Sequence, residues 1–160
     1  MILPIGDTPN PRNYIPWMTW GLMALNIIIY LFITIPLSTQ GVDRGDPLLA
    51  EYIRAITPHL PSVVSIQQVL SQISAYELFT FVHGYKPGAP ELGDLFFSMF
   101  LHGGLLHLAG NMLFLWIYGN NVEHILGRPG FLATYLATGA AATWFFSLSS
   151  GSSMITLVGA

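Results

Sequence analysis

An all-α bundle of membrane-crossing helices is the fold class this sequence predicts, and three observations carry the prediction. Charged residues make up 8% of the 160 positions, against about a quarter in a soluble domain, while 52% are hydrophobic and mean hydropathy is +0.57. The charges, five basic and eight acidic, are segregated: none falls between Pro16 and Gln40, none between Leu95 and Val122, and none after Arg128. Three uncharged stretches reach the length of about 17–25 residues that a helix needs to cross the hydrocarbon of a bilayer. Water is therefore not the main solvent.

The same numbers exclude several functions. A net charge of -3 and a pI near 5.9 offer no cationic surface for phosphate backbones, so no nucleic-acid partner is expected. Zero cysteines exclude disulfides, thiolate catalysis and Cys-ligated metals. The start of the chain holds Asp7, Arg12 and the prolines Pro4, Pro9, Pro11 and Pro16, unlike a cleavable leader with a basic start and apolar middle. The first span is expected to stay attached.

In chain order, 1–16 reads as an N-terminal segment and 17–37 as the first span, with Trp17 and Trp20 near one end, where aromatic residues suit the headgroup boundary. The long loop 38–94 carries nine of the thirteen charges, and its apolar residues recur at three- and four-residue intervals over 48–56 and 63–81. Two amphipathic helices lying at the bilayer surface are predicted there, parted by Pro58 and Pro61. Lys86-Pro87-Gly88-Ala89-Pro90 reads as a turn. A second span is expected over 95–118, a connector over 119–130 with Gly127 and Pro129 as breakers, and a third span over 131–148. Ala133, Ala137 and Ala141 recur at four residues in that span, predicting a face for close helix contact. Beyond it, 149–160 reads as a Ser-rich loop entering a fourth apolar element, which the chain is expected to leave cut short. The positive-inside rule taken alone places the long loop, with Arg44, Arg54 and Lys86, in the cytoplasm.

Polar side chains within a span are costly and face the bundle interior or a wet cavity. His107 and Asn111, four apart, are expected on one face of the second helix, with His102 on a different flank. An imidazole and a carboxamide both present N–H donors, which suits stabilising an oxyanion that forms only during reaction. The alternative is that they merely hydrogen-bond across helices. His102 and His107 diverge and no other span supplies a ligand, so neither metal nor other cofactor is expected. His59, His83 and His124 lie in connectors, and hydroxyls such as those of Thr134, Thr138 and Thr143 can bond back to their own helix.

The run His102-Gly103-Gly104-Leu105-Leu106-His107-Leu108-Ala109-Gly110-Asn111, followed by Gly119-Asn120-Asn121-Val122-Glu123-His124-Ile125-Leu126-Gly127, resembles the second-span signature of bacterial rhomboid intramembrane serine proteases. The opening, from Ile2-Leu3-Pro4 to Pro16-Trp17 and Leu25-Asn26, is similar as well. This resemblance implies a six-helix core with a Ser-His dyad, a long first loop half-submerged on the outer face, and a place in a bacterial plasma membrane. It opposes the charge count on orientation. His107 and Asn111 match the family's oxyanion-stabilising positions, while His102, Glu123 and Gly127 match positions that look structural. Gly159 and Ala160 match the first two residues of the family's Gly-x-Ser-Gly nucleophile motif, the serine being the next residue. Nucleophile and base are then absent from these 160 residues, which are expected to be inactive alone. The implied partners are transmembrane protein substrates and the lipid bilayer, and the implied reaction is hydrolysis of peptide bonds in or beside membrane spans. A non-catalytic binding module that holds membrane helices is the competing reading, with an unrelated scaffold as a third.

Overall fold

The computed structural model describes residues 13–61, 65–150, 154 and 156–158. Helix α1 is Trp17–Ser38, an α-helical run opened by a π-helical turn at Tyr30–Thr34. Its 22 residues extend about 33 Å at 1.5 Å each, enough to cross a bilayer. The first turn of any helix leaves N–H groups without intrahelical acceptors, and Pro16 supplies no side-chain cap. A distant carboxylate does so instead. Glu123 accepts Met18 N at 3.1 Å, Thr19 N at 2.7 Å and the Thr19 hydroxyl at 2.7 Å.

The long loop folds around its own small core. Helix α2, Pro47–Ile56, starts under an Asp46 cap that accepts Leu48 N. Where one helix is expected over 63–81, there are two, α3 at Ile66–Leu70 and α4 at Ala75–His83. Ser65 with Gln68 and Ser74 with Glu77 each form a capping box, and an N-cap demands a non-helical backbone. The second cap thus forbids one continuous helix. Residues 62–64 lie outside those described. Leu49, Ile73 and Leu78 meet at the centre, with Val42, Tyr52 and Val69 packed around them.

Lys86 joins this unit to the next helix: its ammonium donates to Phe81 O at 2.6 Å and pairs with Asp94 at 3.7 Å. Asp94 belongs to α5, Leu92–Phe97, which runs into a 3₁₀ turn at Ser98–Phe100. The second span expected from residue 95 therefore starts later. Leu101 already has extended backbone, and helix α6 begins at Leu105. Two glycines, Gly103 and Gly104, precede it, and glycine costs a helix about 1 kcal/mol relative to alanine.

Helix α6, Leu105–Ser150, is 46 residues long, too long for one crossing. It bends at Gly127, whose φ of 70° and ψ of 166° only glycine adopts readily. Of the two expected breakers Gly127 makes the bend, whereas Pro129 lies within the helix that follows, and the connector is not a loop: helix continues to the bend and resumes directly after it. Two arms, 105–126 and 128–150, fold back on each other, Phe131 sharing a cleft with Val122 and Thr138 sharing it with Asn111.

Burial departs from that of a soluble protein. Asn26, His102, Glu123, Thr19, Thr143 and Ser98 are among the most completely enclosed side chains, whereas Phe32 is 74% exposed and Leu106 90%. Along α1 the buried positions are Thr19, Leu22, Asn26, Tyr30 and Thr34. A polar stripe inside and an apolar surface outside is stable only where the surroundings are lipid. The molecule is an all-α membrane bundle.

The second arm seals by a different face from the one expected. Ala133, Ala137 and Ala141 are exposed, while Phe131, Gly139 and Thr143 are buried. A Cβ on Gly139 would lie 2.1 Å from Met99 Cε, so this glycine is what admits the methionine. Small size decided the contact, though at one position rather than along a ridge.

Candidate active site

The first arm of α6 sets Asn111 and Glu123 on the same side of the helix. Twelve residues of unbroken α-helix would separate them by about 120°. The π-helical turn at Leu115–Gly119 absorbs one extra residue and removes most of that angle. Glu123 can then reach the start of α1 while Asn111 faces the space between the three helical segments.

That space is a cleft of about 350 Å³, mostly apolar, whose lining includes Asn26, His102 and Asn111. Asn26 is 1% exposed; its Nδ2 donates to Leu22 O at 2.8 Å, and its Oδ1 has no hydrogen-bond partner among the described residues. A mostly apolar hollow with a few convergent polar groups is the usual form of a binding site.

His102 stands in the extended stretch before α6, not on the helix, and this changes its relation to the other two polar residues. Expected on a separate flank, it is instead their neighbour. Its Nε2 is 3.1 Å from Asn111 Nδ2, and its ring meets that of His107 edge-on at 5.4 Å between centroids. On the other side Nδ1 lies 3.2 Å from Phe100 O, and the Tyr76 hydroxyl donates to His102 O at 2.9 Å. Burial pushes the Tyr76 phenol above its ordinary pKa, which keeps that proton in place.

The remaining residues of interest are spread along the chain. His107 is exposed on the first turns of α6, on the same helix as half-buried Asn111. Glu123 is fully enclosed, ties the first arm to α1 and has Arg128 Nε 3.9 Å away, while Gly127 makes the bend. His83 is not free in solvent but lies against Phe79 and Phe97, and His124 meets Tyr14 edge-on. The Thr138 hydroxyl donates to Thr134 O at 2.8 Å, within its own helix. Gly159 and Ala160 lie outside the described residues. Close before them, Leu157 N donates to Tyr85 O at 2.9 Å, and Thr156 lies over Gly84. Nothing in the sequence pattern marked Tyr76 or Gly84. The signal that could have found the helix carrying one and ending at the other is the Ser74–Glu77 capping box.

Residues 89–160 match the family model described as Rhomboid domain. Among curated proteins, the chain is similar to the presenilin-associated rhomboid-like protein, mitochondrial, of Bos taurus, with 40% identity over 47 residues, 29% of this chain and 12% of that protein. The Homo sapiens protein of the same name is 43% identical over 42 residues, 26% of this chain and 11% of its own. A Danio rerio relative, the presenilin-associated rhomboid-like protein A, is 38% identical over 47 residues. The matched stretch is thus about an eighth of these relatives' length, 12% in the cattle and zebrafish proteins. No solved structure matches.

Proposed function

Residues 89–160 belong to the rhomboid domain family, and from that premise we propose that the chain is the oxyanion-stabilising part of a serine endopeptidase acting within the membrane. In this reading a serine hydroxyl adds to the scissile carbonyl and its proton passes to a base. The tetrahedral oxyanion collapses as the base returns that proton to the departing nitrogen, expelling the amine and leaving an acyl-enzyme that water hydrolyses. His107 and Asn111 donate N–H groups to the oxyanion, the only charge these two residues need to meet. Neither nucleophile nor base is among these residues, and the 160-residue chain by itself hydrolyses nothing. Gly159 and Ala160 lead into the nucleophile motif. Substrates are transmembrane segments of other proteins, met in a bacterial plasma membrane; the vertebrate relatives are mitochondrial, and fractionation of the source cells decides the compartment.

The observation that carries the reading is the placement of Asn111, half-buried on a membrane helix, its amide held by His102 at the edge of the cleft. The test uses the full reading frame in lipid nanodiscs with a fluorophosphonate probe, whose phosphorus accepts the serine oxygen as fluoride leaves. Labelling is expected, and Asn111→Ala should slow it roughly 100-fold, the usual consequence of losing one oxyanion donor. Absence of labelling, with the protein folded, would replace the protease by the helix-binding module.

A further inference from the structure

We infer that His102 is a positioning residue that fixes which way the Asn111 carboxamide points; the inference rests on the oxyanion role proposed for Asn111. Phe100 O, 3.2 Å from Nδ1, is a carbonyl oxygen and can only accept, so Nδ1 carries the ring proton. His102 is 1% exposed, and burial disfavours a charged ring. In the neutral ring Nε2 is then an acceptor. The Asn111 group 3.1 Å away must present N–H to it, not C=O. A flipped amide would set two lone pairs against each other.

One N–H of Asn111 is thereby committed to His102, and the second has no partner among the described residues. The orientation of that second donor follows from the first, because both lie in one rigid plane. His102 itself is held against rotation by Phe100 O through its ring and by the Tyr76 hydroxyl through its carbonyl. A carbonyl thus sets a tautomer, the tautomer sets an amide, and the amide aims a donor. An amide free to rotate would present oxygen to the oxyanion half of the time and would need reordering at each turnover.

The test is a double-mutant cycle on the full reading frame in nanodiscs, reading the inactivation rate constant and the binding constant for the fluorophosphonate separately. His102→Phe keeps a ring and removes the acceptor; the inactivation constant should fall roughly 10- to 100-fold, with binding unchanged. His102→Gln offers an amide oxygen to Asn111 and should stay within about threefold of the unmutated protein. In an Asn111→Ala background, His102→Phe should cost nothing further, because its effect passes through the missing amide. A merely structural His102 would lower the folded fraction and leave the rate constant of the folded protein alone. Defects that multiply in the double variant, or a Gln variant as slow as the Phe variant, would overturn the inference. If Asn111→Ala alone leaves the rate unchanged, the oxyanion reading fails first.

Discussion

Replacing Glu123 by glutamine changes one atom and should unfasten α1 from the first arm of α6. The carboxylate accepts three hydrogen bonds, from Met18 N, Thr19 N and the Thr19 hydroxyl, and is fully enclosed. A glutamine oxygen can keep the Thr19 pair, but its NH₂ then faces the Met18 N–H, donor against donor. Loss of that bond with a buried donor left over costs about 1–3 kcal/mol, and loss of charge assistance on the other two about 1 kcal/mol each. The carboxylate also faces the positive end of the α1 dipole, a smaller contribution in the same direction. The sum is about 3–5 kcal/mol, which for a chain of this size corresponds to a midpoint lowered by about 10 °C. Thermal unfolding in detergent micelles, followed by circular dichroism, measures it. Thr19→Val removes one bond only and should cost about 1 kcal/mol. A glutamine variant that melts with the unmutated protein, or no worse than Thr19→Val, would refute the clamp.

Two further outcomes rest on close contacts. Gly139→Ala should destabilise by roughly 1–3 kcal/mol, since its Cβ would meet Met99 Cε at 2.1 Å; Met99→Ala in the same chain should recover part of the loss, measured by the same melts. Gly84→Ala would bring a Cβ within 2.1 Å of Thr156 Cγ2 and 3.1 Å of Leu157 O, so the Tyr85–Leu157 contact should open. Amide hydrogen exchange at Leu157 should then rise at least tenfold, and unchanged protection would contradict the placement.

Much of the fold is legible without coordinates because its causes are local. The charge-free runs, the tryptophans at the first span and the glycine of the bend each state their own reason along the chain. In the long loop a local signal overrides the hydropathy pattern: Ser74 and Glu77 divide one amphipathic stretch into two helices. The start of α6 is misplaced for a related cause, since hydropathy runs evenly through 95–118 and only the Gly103-Gly104 pair breaks it.

The sequence by itself determined that this chain is an all-α bundle of apolar helices suited to lipid, with its charges kept to the segments between them, because the cost of desolvating charge acts on each residue separately. Tertiary structure alone decided that His102 joins Asn111, that Glu123 caps a helix more than a hundred positions away, and that Gly139 rather than the alanine ridge makes the close contact. Those pairings depend on a π-helical turn that rotates one half of a helix against the other, and on which faces meet once three segments share one interior. Neither is a property of any single segment.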